Sequence, residues 1–143
     1  MIRVSATRAI PAAAQLLFDL LDKPETHRQI TPALVESREI GRLPSGGTHA
    51  SYLYRILGIP FAGEIRAVEH DRPGKLRYEM TGAIRGSIEI VIKDESEGAT
   101  VSYTGAFDLK PRSLVFLGRP ILGWYNRRQI RSLLANLERL ATA

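Results

Sequence analysis

The chain has 143 residues, of which 44% are hydrophobic, and its 20 basic and 15 acidic side chains give a net charge of +5. A chain of this length can bury a core of its own, and the lack of cysteine excludes disulfides, thiolate catalysis, zinc–cysteine sites and iron–sulfur clusters. The modest positive charge is weak support for a nucleic-acid partner, and we expect none.

The first residues and the apolar runs of the sequence indicate where in the cell we expect the protein. Residues 1–5 lack the apolar stretch of a secretion signal, and no apolar run approaches the roughly 18–20 residues of a membrane span. No internal repeat or linker divides the chain. We therefore expect a single cytoplasmic domain that covers residues 1–143.

The first thirty residues predict a strand and two short helices. Residues 2–10 alternate between apolar and polar side chains, the period of a half-buried strand. Residues 12–21 have the pattern of a short amphipathic helix, which begins after Pro11. Pro24 can open a second short helix that runs to residue 30.

The middle of the chain predicts six further strands, because short alternating segments are separated by turn signals rich in Gly and Pro. The clearest alternation is that of Ile88, Ile90 and Ile92 with polar neighbours. Short turns between successive strands are typical of an antiparallel meander. The predicted strands cover residues 33–43, 48–57, 61–70, 76–81, 87–93 and 100–107.

The end of the chain predicts one long helix with a single apolar stripe. The stripe runs at steps of three and four through Leu122, Asn126, Ile130, Leu133, Leu137 and Leu140. A meander with one apolar face must bury that face, and this helix carries the only stripe able to cover it. The expected fold class is α+β, a curved seven-stranded antiparallel sheet around a C-terminal helix.

The order of these elements, together with three segments of the sequence, resembles the START-like (SRPBCC) superfamily, which has the helix-grip fold. The segments are residues 10–22, 68–78 and 133–140. The bacterial branch it looks most like is described as polyketide cyclase/dehydrase and lipid transport. Members hold a hydrophobic small molecule between the sheet and the last helix, so the resemblance implies a cavity but does not specify its ligand.

Strand parity and helix period place a set of apolar and aromatic residues around this expected cavity. A mostly apolar cavity with a few hydroxyls is the usual form of a small-molecule site, although the same residues could pack together as a filled core. Our candidate lining residues are Tyr52, Tyr54, Phe61, Ile65, Tyr78, Met80, Ile88, Ile90, Tyr103, Phe107, Leu122, Tyr125, Ile130 and Leu133.

Catalysis has no motif to support it. The sequence has no nucleophile elbow, phosphate loop, dinucleotide fingerprint or metal-binding histidine spacing, so we predict no cofactor and no metal and assign no catalytic residue. His49, at the start of a strand, is the histidine we single out as a candidate acid or base. Glu64 and Arg66 share one face of the next strand, with His70 further along it, and parity places that face outside.

Several arginines and a tryptophan give the last helix a second distinctive feature. They could form a basic surface that contacts an anionic membrane or a protein partner, or a solvated face paired with acidic neighbours. This surface consists of Arg119, Trp124, Arg127, Arg128 and Arg131. The sequence leaves the oligomeric state open.

The leading hypothesis is therefore a protein that binds or carries a hydrophobic small molecule such as a lipid, a quinone or a polyketide-like aromatic. The second hypothesis is a cyclase, aromatase or dehydratase that uses cavity tyrosines or a histidine. The third is a module that acts through the basic surface of the last helix.

Overall fold

A computed structural model of the chain describes residues 2–56, 58–109 and 127–143 in full, and residues 112–126 by their helix assignment alone. The strands are β1 (Ile2–Ile10), β2 (Leu34–Arg42), β3 (Thr48–Ile56), β4 (Ile59–Asp71), β5 (Lys75–Gly82), β6 (Ile84–Glu95) and β7 (Gly98–Leu109). The helices are α1 (Ala14–Leu21), α2 (Pro24–Ile30) and α3 (Arg112–Thr142).

All seven strands form one antiparallel sheet in the order β1-β7-β6-β5-β4-β3-β2. Strands β2 to β7 follow one another as a meander, while β1 pairs with β7 at the far side of the sheet. Helices α1 and α2 connect the two edge strands, β1 and β2, across the open side. This arrangement confirms the α+β helix-grip architecture predicted from the sequence.

Helix α3 covers the inner face of the sheet and packs mainly on β1 and β7. Ile130, Leu133 and Leu137 of the predicted stripe are buried there together with Leu134, whereas Leu140 is 37% exposed. No helix among the described residues is long and apolar enough to cross a membrane.

Polar contacts fix α3 to the segments around α2 and to β1. The Gln129 side-chain oxygen accepts a hydrogen bond from the Ala33 amide at 3.1 Å, and the Asn136 side chain donates to the Ile30 carbonyl at 2.9 Å. Near the end of the helix, Glu138 pairs with Arg8 of β1. These contacts set the distance between α3 and the sheet on both sides of the inner face.

Two details of the sheet differ from the sequence expectation. Gly86, which the sequence places in a turn, lies inside β6, and the connection from β5 is Ala83 alone. In β4, a register shift between Ala67 and Glu69 changes the alternation of the strand. His70 therefore lies on the inner side against the ring of Phe18, at a centroid distance of 5.0 Å, instead of sharing the outer face with Glu64 and Arg66.

A substitution at Gly63 tests how tightly β3, β4 and β5 fit together. A Cβ atom at Gly63 would collide with the Thr81 carbonyl oxygen and the Tyr52 hydroxyl, whereas one at Gly41 of β2 would meet nothing within 4 Å. We expect Gly63→Ala to lower the free energy of unfolding by about 2–3 kcal/mol or more. The matched control Gly41→Ala should change it by less than about 0.5 kcal/mol. Urea denaturation measures both, and equal effects would contradict this packing.

Candidate ligand-binding cavity

A first hollow, here called the α3 hollow, lies between the sheet and α3. Its cavity volume is about 60 Å³. Strands β3, β5, β6 and β7 and helix α3 contribute to its walls, which are apolar apart from tyrosine and Gln129 side chains. Residues that define it are Tyr54, Met80, Ile88, Tyr103, Phe107 and Ile130.

A second hollow, here called the α2 hollow, lies where the end of α1 and the start of α2 meet strands β2 to β5. Its cavity volume is about 40 Å³. It is the more polar of the two, because Asp22, Ser37 and Thr48 belong to its walls. The walls of the α2 hollow also include His27, Tyr52, Tyr54, Ile65 and Tyr78.

Two of the wall tyrosines have hydroxyl groups that are already bound to backbone. The Tyr52 hydroxyl lies 2.7 Å from the Thr81 carbonyl oxygen and accepts a bond from the Ile84 amide at 3.1 Å. The Tyr78 hydroxyl donates to the Leu21 carbonyl at 3.1 Å. These phenols join strands and helices to one another, and their bonds are not available to a ligand.

The other two wall tyrosines present hydroxyls without such partners. No hydrogen bond joins the Tyr54 or Tyr103 hydroxyl to any other described residue, although Tyr103 is only 8% exposed. Burial raises the pKa of both phenols well above the usual value of 10.0, and the negative charge of a neighbouring ionised tyrosine would raise it further. Both groups are therefore neutral at physiological pH and can donate a hydrogen bond.

His27 is the histidine that belongs to the cavity wall. Its Nε2 atom lies 2.5 Å from the Leu21 carbonyl oxygen, so Nε2 carries the proton and donates it to that oxygen. Tyr78 donates to the same carbonyl, which explains why its hydroxyl lies only 3.4 Å from Nε2. Burial lowers the pKa of His27, while the bond to Leu21 and the carboxylate of Asp22 act in the opposite direction. The ring is thus neutral at pH 7, with Nδ1 as its basic nitrogen.

Asp22 supplies the negative charge at the polar end of the α2 hollow. Its carboxylate accepts hydrogen bonds from the Arg42 guanidinium, with the closer oxygen at 3.2 Å. The Nε2 atom of His70 lies 3.0 Å from the same carboxylate, but its geometry is not that of a hydrogen bond. Asp22 is therefore held by a cation that lies outside the hollow's wall.

The structure distributes the predicted lining residues unevenly. Tyr52, Ile65 and Tyr78 line the α2 hollow, and Tyr54 lines both hollows. The α3 hollow is lined by Met80, Ile88, Tyr103, Phe107 and Ile130. Buried core residues that line neither of these hollows are Phe61, Ile90 and Leu133, whereas Leu122 and Tyr125 fall outside the described residues.

The histidine singled out from the sequence lies elsewhere. His49 pairs with Glu64 across β3 and β4, with Nε2 and Oε1 2.6 Å apart, and belongs to the wall of neither hollow. His27 was missed because α2 is short and its sequence carries no catalytic spacing. The three- and four-residue period could have revealed it, since Pro24, His27 and Ile30 lie three apart and share one helical face.

The basic surface predicted on the last helix is described only in part. Arg127, Arg128 and Arg131 are exposed, and Arg119 and Trp124 lie outside the described residues. Contact of this surface with an anionic membrane stays a prediction.

The architecture around these hollows recurs in solved structures of low sequence identity. A protein from Thermus thermophilus superposes with a TM-score of 0.84 at 21% identity, over 96% of this chain and 94% of that one. A START superfamily protein from Mycobacterium smegmatis gives 0.81 at 13% identity, over 98% and 97%. The di-domain ARO/CYC protein StfQ of the steffimycin biosynthetic pathway gives 0.79 at 12% identity, over 99% of this chain and 50% of that one. The chain therefore has the START-like helix-grip fold.

The family can be named more closely than the fold. A family model described as polyketide cyclase/dehydrase and lipid transport matches residues 1–142, and the protein belongs to that family. No curated protein matches the sequence.

The contrast between bound and unbound phenols predicts unequal effects on stability. Tyr52→Phe leaves the Ile84 amide and the Thr81 carbonyl without their partner, so we expect a loss of about 1–3 kcal/mol in the free energy of unfolding. Tyr103→Phe breaks no bond to the described residues and should cost less than about 0.5 kcal/mol. Urea denaturation of both variants tests this difference, which would be refuted by a Tyr103→Phe variant as destabilised as Tyr52→Phe.

His27 predicts a pH dependence of stability. Its pKa is lowered in the folded protein, so below pH 6.5 the unfolded chain takes up a proton that the folded protein binds less readily. This contribution to stability is complete above pH 6.5 and is lost as the pH falls towards the lowered pKa. An NMR titration of the ring should give a midpoint below 6.5, with the signal assigned by its loss in His27→Gln. A midpoint at or above 6.5 would show that the ring is not desolvated as described.

Proposed function

We propose that the protein binds an apolar small molecule between its sheet and α3. The observation that carries this proposal is the pairing of an apolar wall with two neutral phenols, Tyr54 and Tyr103, whose hydroxyls have no partner among the described residues. A hydroxyl that faces an apolar hollow without a protein partner must be satisfied by water or by a ligand. A ligand with one polar group would supply the missing partner.

Burial of apolar surface would provide most of the binding energy. Each Å² of apolar area removed from water contributes about 25 cal/mol before the costs of association. The hydroxyls contribute less energy but fix the orientation of the ligand's polar group. Family membership supports this proposal at the level of class, because the family description includes lipid transport. A lipid, a quinone and an aromatic polyketide are all consistent with such a wall.

A cyclase or dehydratase activity is the second candidate, and His27 favours it. The ring is neutral, belongs to the wall of the α2 hollow and keeps Nδ1 as a base, while Tyr78 holds the same carbonyl beside it. The family description also includes cyclases and dehydrases. If the protein catalyses cyclisation of an aromatic polyketide, His27→Gln should lose turnover and keep ligand affinity within a few fold. Equal losses of turnover and affinity would point to a positioning role instead.

Naphthalene and 2-naphthol test the binding proposal, because they differ by one hydroxyl. We expect both to displace a neutral fluorescent probe, N-phenyl-1-naphthylamine, from the purified protein. Tyr103→Phe should weaken the binding of 2-naphthol by up to about tenfold, the value of one hydrogen bond, and leave the affinity for naphthalene unchanged.

The matched control for this pair is Tyr78→Phe, which removes a hydroxyl that is bound to backbone. It should not discriminate between the two ligands. Failure of the wild-type protein to bind the probe or either ligand would refute the proposal. Native mass spectrometry of the protein as purified from its own host would then identify any molecule that occupies the cavity.

A further inference from the structure

The two hollows have one wall residue in common. Tyr54 is part of the wall of the α2 hollow and of the α3 hollow, and the other described wall residues belong to one hollow or the other. Its ring meets that of Tyr52 at a centroid distance of 5.3 Å and an angle of 62°. Tyr54 therefore lies between the two hollows.

Neither hollow is large enough for a molecule of the proposed class. A cavity volume of about 40 or 60 Å³ accommodates a few water molecules, since one water molecule needs roughly 10–15 Å³ of cavity volume. Ligand sites in proteins typically reach about 300–1,000 Å³. An apolar ligand must consequently displace a side chain, and the one whose movement joins both hollows is Tyr54.

The contacts of Tyr54 show what that movement would break. No hydrogen bond to another described residue would break when its side chain turns, in contrast to the bonds that hold Tyr52 and Tyr78. The side chain would lose its edge contact with the Tyr52 ring and part of its packing against the core. The bonds of Tyr52 and Tyr78 to backbone hold those two rings in place.

The walls also restrict the charge of the ligand. Among their described residues Asp22 is the single charged side chain, and it is negative. The nearby Arg42 already bonds Asp22 and the Gly46 carbonyl. A buried anion would therefore find no counter-ion among the described wall residues and would meet a carboxylate, and such burial is strongly unfavourable.

We infer that the two hollows are halves of one elongated site, that Tyr54 is the movable partition between them, and that the site takes an uncharged molecule long enough to reach both. This inference rests on the proposed function. The compact part of such a ligand occupies the α3 hollow, and its extension reaches the α2 hollow only when Tyr54 has turned aside. In the wild-type protein, affinity for long ligands is reduced by the fraction of molecules in which the partition is open.

A series of straight-chain alcohols, from 1-hexanol to 1-dodecanol, tests the partition by displacement of N-phenyl-1-naphthylamine. Affinity should rise roughly fourfold per methylene while the chain stays within one hollow. In the wild-type protein we expect the gain to level off at a certain length. In Tyr54→Ala the rise should continue for several more methylenes, because the partition is gone.

Two variants control for the added space. Tyr103→Ala enlarges the α3 hollow without joining it to the other, so its length limit should stay close to that of the wild type, whatever the loss of the Tyr103 hydroxyl does to overall affinity. Tyr54→Leu, a smaller change in volume, should move the limit in the same direction as Tyr54→Ala and serves if the latter does not fold. If the chain length at which affinity levels off is the same in the wild type, Tyr54→Ala and Tyr54→Leu, Tyr54 does not separate the two hollows.

Carboxylates of the same chain lengths test the charge of the ligand. At pH 8 we expect each alkanoate to displace the probe at least tenfold more weakly than the alcohol of equal length. Alkanoates that bind as tightly as the alcohols would overturn the uncharged class. If neither the alcohols nor the alkanoates bind, the proposed function fails. If they bind but the length limit does not change, or charge makes no difference, the protein still binds apolar ligands but Tyr54 does not divide an uncharged site.

Discussion

The structure depends on one constraint, that the apolar inner face of a single open sheet must be kept from water. Helix α3 meets it with a stripe that buries Leu133 and Leu137 against the sheet. Polar contacts at Ala33, Ile30 and Arg8 fix the helix where it crosses the ends of other elements. Between these fixed points side chains alone fill the space, and the α3 hollow remains there, while the α2 hollow lies beside α2.

The polar groups on this inner face divide into those that hold the fold and those left for another role. Tyr52 and Tyr78 bind backbone and join strands to helices, so the protein itself satisfies them. Tyr54 and Tyr103 have the same chemistry without such bonds. The difference is whether the hydroxyl has a hydrogen bond to backbone. It separates structural tyrosines from candidate binding tyrosines within one aromatic cluster.

Alternation and helical period were sufficient to predict the succession of strands, the two short helices and the long C-terminal helix, because each pattern reports burial on one face. They could not predict the register shift after Ala67, which turns His70 inward, since a bulge leaves no reliable mark on the residue pattern. Nor could they separate Tyr52 from Tyr54, because strand parity gives the face of a residue and not the partner of its hydroxyl. The role of His27 depends on the Leu21 carbonyl, a tertiary contact between α1 and α2.

The most direct test of a ligand site between sheet and helix is to locate a bound molecule. Isotope-filtered NMR on protein saturated with 1-decanol would record contacts between the alcohol's protons and protein methyl groups. We predict intermolecular signals to Met80, Ile88 and Ile130, which line the α3 hollow. Signals confined to exposed methyl groups such as those of Val35 and Ile40 on the edge strand would show that the inner face is a filled core and contradict it.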